Sequence, residues 1–364
     1  MSTSTLSCHD RLVADLRSAV GSIERWCSTA NDVSAFGDGL FARLATVIPF
    51  DSAFLATVDP DTLLYTRGFS LEVPAEASAA FVHTELGVDD VNQLRHLARA
   101  PDPVGWLDRA THGDRMASRR YRLAMHPYGM GDELRVALMV DGSCWGLLCL
   151  HRAAAPRGFD PRDARLLAGI GPLVASALRR ALVSEHALAT DAWDAPGVAV
   201  LNADRTLRTS TPAATRWLNE LADLDRPRRG DLPTVVLGVI EQLNASVDAD
   251  PGQARARVRA SSGRWLTVHA APLDDVSGSV AVILEPTAPA ALAPLIIAAY
   301  GLTSREHDVT QRLLAGLARK TIAAELHISA HTVNDHVKAV FDKTGVSSAG
   351  ELRAQVLGHL AAAP

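Results

Sequence analysis

Residues 302–346 read LTSREHDVTQRLLAGLARKTIAAELHISAHTVNDHVKAVFDKTGV, and local chemistry alone divides this stretch into three helices. Thr303 followed by Glu306 fits a capping box: the threonine hydroxyl accepts from the first turn, and the glutamate reaches back. Val309, Leu313, Leu314 and Leu317 continue one apolar face, and Gly316 sits where that helix should end. A short second helix from about Arg319 to Leu326 would bury Ile322, Ala323 and Leu326. After a tight turn at His327-Ile328-Ser329, Ser329 is placed to cap a third helix. Val333, Val337, Val340 and Phe341 would then point inward, and Gly345 would stop the helix. Ser348 and Glu351 repeat the capping-box spacing and open a fourth helix.

Two helices joined by a short turn, the second polar on its outer face, suit a DNA major groove. The outer face of the third helix carries His331, Asn334, Asp335, Lys338 and Asp342. Residues 302–346 resemble the LuxR/FixJ-type helix-turn-helix. The likeness runs through Leu302-Thr303-Ser304-Arg305-Glu306, Ala315-Gly316-Leu317, Ile322-Ala323 and Leu326-His327-Ile328-Ser329. It continues through Thr332-Val333, His336-Val337-Lys338 and Lys343-Thr344-Gly345-Val346. The resemblance implies an all-α, four-helix DNA-binding domain over 301–364, with double-stranded DNA as partner. It implies that Asn334, Asp335 and Lys338 face bases while Thr332 and Lys343 lie near phosphates. Ser329 and His331 belong to the same expected interface. Arg319 and Lys320 open the second helix, whose N-terminus can approach a phosphate. The family usually has lysine where this chain has Asn334, and Asp335 adds an acid beside it. Asparagine can read adenine and aspartate can accept from cytosine, so an unusual operator or a dependence on dimerisation is expected.

Net charge over the 364 residues is −5, yet residues 301–364 hold seven basic and six acidic side chains. That leaves 29 basic and 35 acidic groups for the first 300, so the acidity lies outside the DNA-reading module. A near-neutral module still binds DNA if its positive charges share a face. The only lysines are Lys320, Lys338 and Lys343, all inside that module. A P-loop, a protein-kinase fold and a phosphoacceptor receiver each need a lysine, so none of these is expected upstream. Cys8, Cys27, Cys144 and Cys149 form no CxxC pair and read as reduced thiols. With no long apolar run and no signal-peptide order at the start, a cytoplasmic protein without membrane partners is expected. GxSxG, HExxH and grouped His/Cys sets are missing, so no enzyme, metal site or cofactor is expected.

Upstream, the expectation is a multidomain α+β chain. Residues 1–19 would begin a helix, with Leu12, Leu16, Val20 and Ile23 at spacings of three and four. Strands are expected over Ser52 to Val58 and Leu63 to Gly68, joined by Asp59-Pro60-Asp61. Residues 75–125 should be helices and loops. Leu134 to Val140 and Trp145 to His151 should pair across Asp141-Gly142, and a long helix should run over 162–186. Ile48-Pro49-Phe50-Asp51, Asp141-Gly142 with Trp145-Gly146, and Gly158-Phe159-Asp160-Pro161 make residues 20–183 resemble a GAF-like α/β sensor domain. Gly197 to Leu201, the helix start at Thr211-Pro212-Ala213-Ala214, and the pair Trp265 to Ala271 with Ser279 to Leu284 make 191–287 resemble a PAS-like α+β domain. Pro286, Pro289 and Pro294 mark residues 288–300 as a linker.

A small-molecule ligand is expected between the GAF-like sheet and residues 75–130, and its identity is left open. Tyr128 with Asp132-Glu133 is similar to part of a cyclic-nucleotide GAF signature, but that signature also needs a lysine, so a turn and strand start are favoured. Cys149 with His151 on one strand face could suggest a haem or bilin, though burial in an apolar strand is favoured. Arg119, Arg120 and Arg122 are expected to be solvated, and Trp145, Trp193, Trp217 and Trp265 to anchor cores. A homodimer through helices 11–30 and 162–186 is expected, with RNA polymerase as a further partner. The alternatives are a quorum-sensing type of small-molecule receptor and a protein-interaction module that does not bind DNA directly.

Overall fold

The computed structural model describes residues 20–29, 33–153, 158–186, 195–225, 232–245, 254–274 and 278–357. The helix expected over 1–19, Cys8 and Trp193 lie outside the described residues. The chain divides into two compact units: residues 1–181 with 190–286, and residues 182–189 with 287–364.

The first unit opens with helices α1 (residues 20–29) and α2 (Val33–Leu44). Strands β1 (Ser52–Val58) and β2 (Tyr65–Leu71) follow, then short helices α3 (Ser78–Val82), α4 (Leu94–Leu97) and α5 (Leu107–Ala110) flanking β3 (Val104–Trp106). The long hairpin β4 (Met130–Val140) and β5 (Ser143–Ala153) leads to α6 (Pro161–His186). Asp141 and Gly142 at the hairpin tip have φ of 50° and 78°, the pair of positive values a two-residue turn of this twist requires. Arg179 on α6 bonds Asp141 at 2.6 Å and fixes that tip.

The five strands are antiparallel in the order β2-β1-β5-β4-β3. Successive side chains alternate between the sheet faces. Leu55, Leu134, Val136, Leu138, Leu148 and Leu150 pack under α1, α2 and α6 in one core. Their neighbours Ala56, Ala137, Leu147 and Cys149 face the other way, toward the region of the short helices. Both faces are covered, which is why β4 and β5 are buried almost throughout.

A second sheet domain within the same unit comprises β6 (Gly197–Leu201), β7 (Leu207–Ser210), α7 (Pro212–Asp225), α8 (Thr234–Ala245), β8 (Arg255–Arg259), β9 (Trp265–Pro272) and β10 (Val280–Pro286). Its order is β7-β6-β10-β9-β8, the same second-first-fifth-fourth-third arrangement as the first sheet. Trp217 and Trp265 are buried in it, as Trp145 is in the first. The two sheet domains share a core, because Leu64 from the β1–β2 connection is buried among the second domain's Leu221, Val235 and Val258. Arg257 on β8 clamps the fully buried Asp59 with bonds of 2.5 and 2.8 Å.

In the second unit, residues 288–300 correct the expectation of a linker. They hold helix α9 (Pro289–Ala299), with Leu292, Leu295, Ile296, Ile297 and Ala299 buried. Pro289 stands in the first turn, where its missing N–H costs nothing, so a proline that looked like a breaker is a helix start. Then come α10 (Ser304–Leu314), α11 (Arg319–Leu326), α12 (Ala330–Thr344) and α13 (Ala349–Leu357). Among the described residues α10 to α13 are the four helices expected over 301–364, and α9 is an addition that packs on α13. Tyr300 and Gln355 join them through a 2.6 Å bond.

Candidate nucleic-acid interface and sensor cavity

The capping chemistry of the second unit is as the residues imply. Thr303 accepts from the Glu306 backbone, and the Glu306 side chain accepts from the Thr303 N–H at 2.7 Å. Ser329 caps α12 by accepting from Thr332 N at 3.0 Å, and Gly345 ends it at φ 71°. Only half of the second box forms: Ser348 caps the Glu351 backbone, but the Glu351 carboxylate turns to Ser347. Val333, Val337 and Val340 are buried as expected, while Phe341 is half-buried.

Helix α12 spans about 22 Å at 1.5 Å per residue. His331, Asn334, Asp335, Lys338 and Asp342 are all exposed on it. Residues three and four apart are neighbours on a helix surface, so the first four form one stripe. His331 Nδ1 and Asp335 Oδ2 lie 2.9 Å apart. Arg319, from the start of α11, donates to Asn334 Oδ1 at 2.9 Å. The two helices of the motif thus bring Arg319 and Asn334 to one place. Lys338 and Lys320 are exposed, and among the described residues neither ammonium has a hydrogen-bond or ion-pair partner. Ala318 offers no side-chain cap, so the first N–H groups of α11 are free of one. Thr332 is half-buried beside Ser329, 2.9 Å between hydroxyls.

Lys343, expected near a phosphate, is exposed and also has partners inside the domain. Its ammonium bonds Glu306 at 2.6 Å and the Gly301 carbonyl at 3.3 Å, tying the end of α12 to the start of α10. Burial opposes ionisation of Glu306, but Lys343 and the Thr303 N–H outweigh it and hold the carboxyl below its usual range. Lys343→Ala should therefore lower the stability of residues 287–357 by about 1 kcal/mol, a value limited by the pair's partial exposure. DNA affinity should stay within about twofold. Amide exchange across α10 and α12, beside a DNA titration of the same variant, checks both halves.

In the first unit a cavity opens between the sheet and the segment that begins with α3. Its empty volume, counting the part open to solvent, is about 600 Å³. Phe54, Tyr65, Phe81 and Val82 give it apolar walls, and Glu85, Glu133, Arg135 and His151 give it a polar floor. Arg120, which was expected to be solvated, is fully buried behind that floor. Its guanidinium bonds Glu133 at 2.9 Å and the Val91 carbonyl at 3.0 Å. Arg135 bonds Glu85 at 2.8 Å, the Asn92 carbonyl at 2.9 Å and Cys149 Sγ at 3.3 Å. Buried charges persist only when paired, and here two guanidiniums meet two carboxylates. Burial opposes ionisation of Glu133, but Arg120 and Arg135 outweigh it and pull its carboxyl below the ordinary range. Burial pushes the Cys149 thiol up to about 12, so it stays protonated. Tyr128 is exposed and β4 begins at Met130, the turn and strand start that were favoured.

Glu85, Arg120 and Arg135 were not recognised as one network from sequence. The available signal was Glu133 and Arg135 alternating with Leu134 and Val136 on a strand otherwise apolar on both faces.

Among the described residues no helix is long and apolar enough to cross a membrane, and no group of three metal-ligating side chains comes together. No curated protein matches the chain. Solved structures similar to it include the GAF domain of the cyanobacteriochrome TePixJ, with 16% identity over 43% of this chain and 94% of that one, TM-score 0.32. The GAF domain of an Acinetobacter phosphoenolpyruvate-protein phosphotransferase is similar at 15% identity, over 53% and 100% of the two chains, TM-score 0.31. The chromophore-binding domain of a Stigmatella aurantiaca bacteriophytochrome is similar at 16%, over 45% and 59%, TM-score 0.27. Residues 35–178 match the GAF domain family model, and residues 301–354 match that of the bacterial regulatory proteins of the luxR family. Neither match reaches the second sheet domain. The chain thus joins a GAF domain to a LuxR-type regulatory-protein domain.

Proposed function

We propose that this protein is a transcriptional regulator in which a small molecule, bound in the GAF-domain cavity, alters how the LuxR-type domain engages double-stranded DNA. The observation that carries the reading is the coincidence of the family match over 301–354 with an exposed polar stripe on α12, flanked by Arg319 and Lys320. Asn334, Asp335, Lys338 and His331 would face base edges. Arg319, Lys320, Thr332 and the uncapped start of α11 would approach phosphates, where backbone N–H groups and cations position a duplex. Ser329, exposed at the start of α12 that it caps, would lie at the edge of the same interface. Two copies, joined through the helices flanking the GAF domain, would present two such stripes to paired half-sites. The PAS-like second domain would relay the signal, with no enzymatic step. A cytoplasmic location and a contact with RNA polymerase belong to this reading.

Selection of the purified full chain against a random-sequence DNA pool tests it. A paired motif should be enriched, with affinity that falls steeply as salt rises. Absence of any enriched motif, both for the full chain and after addition of cell extract as a ligand source, would sink the reading in favour of a protein-interaction role.

A further inference from the structure

We propose that the GAF-domain cavity takes an uncharged small molecule with a flat apolar body and a hydroxyl- or amide-type head, and that the second sheet domain forms part of its wall. This rests on the sensor reading above and specifies its ligand.

The apolar part follows from the walls. Phe54 and Tyr65 stand edge to face with centroids 5.7 Å apart, and Phe81 lies 5.6 Å from the His151 ring. A flat body between such rings loses little freedom and buries much area. The uncharged head follows from the buried ion network, which Arg120 behind the floor completes. Arg120, Arg135, Glu85 and Glu133 sum formally to zero, all at most 3% exposed. An added anion would meet Glu85 and Glu133, and an added cation would meet Arg120 and Arg135. Either would leave a buried charge in excess.

The kind of head follows from what the network leaves over. Three cavity-lining side chains each keep one buried polar atom without a hydrogen-bond partner: Arg135 Nε, Glu133 Oε1 and His151 Nε2. Glu133 Oε1 and His151 Nε2 lie 3.5 Å apart, too long for a well-formed hydrogen bond. The first atom can only donate, the second only accepts as a carboxylate, and the third takes either role with its tautomer. Buried polar atoms are seldom left unpaired, and a hydroxyl or amide supplies a donor and an acceptor side by side. An ether or ketone answers only the donor, and a carboxylate is repelled by Glu133.

The second domain's share follows from geometry. Ser78, Phe81, Val82 and Glu85 line the cavity from α3 and its continuation, and Thr234 at the start of α8 lines it from the second domain. The same segment also holds α8 two turns further on, His83 Nδ1 lying 3.2 Å from the buried Glu241. Gly87 is so close that an added Cβ would fall 2.2 Å from the Glu241 carboxylate. An occupant that shifts this segment must therefore disturb α8.

Calorimetric titration of the full chain near pH 7 with 2-naphthol, 2-naphthoate and 2-naphthylmethylamine tests the proposal. The three probes share a body and differ in head charge. The naphthol should bind, and the two ions should bind at least about tenfold more weakly. Ser78→Trp, which fills the cavity without touching the buried charges, should abolish naphthol binding with an unchanged circular dichroism spectrum. Thr234→Arg should weaken it about fivefold or more. Naphthoate or the amine binding as tightly as naphthol overturns the uncharged head, and full affinity in Thr234→Arg overturns the second domain's part. Failure of all three probes to bind overturns the ligand class. Recovery of a DNA motif by the unliganded chain would in that case leave the regulator reading standing.

Discussion

Replacing Arg120 by alanine should cost the first unit about 3–5 kcal/mol, the range for stranding one member of a buried ion pair. Arg120 is fully buried, and its bonds to Glu133 and the Val91 carbonyl cannot be replaced by water. The loss would leave Glu133 with one arginine, Arg135 at 3.7 Å, beside His151 at 3.5 Å, and open a cavity as large as a guanidinium. Chemical unfolding followed by near-ultraviolet dichroism of the buried Trp145 measures it. Arg120→Lys keeps the charge but not the planar fork, and should recover only part of the stability. A loss below about 1 kcal/mol in Arg120→Ala would show that the network contributes nothing beyond its desolvation cost.

The same substitution carries a pH signature. Glu133 has a folded pKa held below its unfolded value by the two arginines, after the opposing effect of burial. A depressed carboxylate contributes stability that is fully present above its unfolded pKa of about 4.3 and is lost as pH falls toward the folded value. The native chain should therefore lose stability steeply below about pH 4. In Arg120→Ala the folded pKa moves back up, and that part of the acid limb should flatten.

How much of this was readable from sequence depended on whether the physics was local. The Thr303–Glu306 capping box, the Gly345 stop and the three-and-four spacing of Val333, Val337 and Val340 act within a few residues, and the structure repeats them. The turn at Asp141-Gly142 is of the same kind. Strand β8 was missed because its alternation is carried only by the small Ala256 and by Val258, set between Arg255, Arg257 and Arg259. Helix α9 was missed because prolines were weighed as breakers and the apolar run Leu295-Ile296-Ile297 was not. The Lys343 bond was not legible because its partner, Glu306, lies 37 residues away and only the fold brings them together. Arg120 and Glu85 likewise become partners of β4 only through tertiary packing, which no periodicity encodes.

Lys338→Ala should weaken binding to the selected DNA motif by about 1–3 kcal/mol, roughly five- to 150-fold. Three features of α12 set that magnitude. Lys338 is exposed, while Asn334 one turn earlier is engaged by Arg319. His331 and Asp335 are engaged with each other, so neither offers a free positive group beside the acid. Lys338 is thus the uncommitted cation on a stripe that already carries one carboxylate. Removing it changes the local charge from balanced to negative against a polyanion. If Lys338 touches a phosphate, the slope of log affinity against log salt should also shrink by about one, and sequence preference should survive. If it reads a base, the slope should hold and preference at one position should relax. Affinity unchanged on both counts would place the DNA contact elsewhere on the domain, with Lys320 and Arg319 at the start of α11 as the groups to replace next.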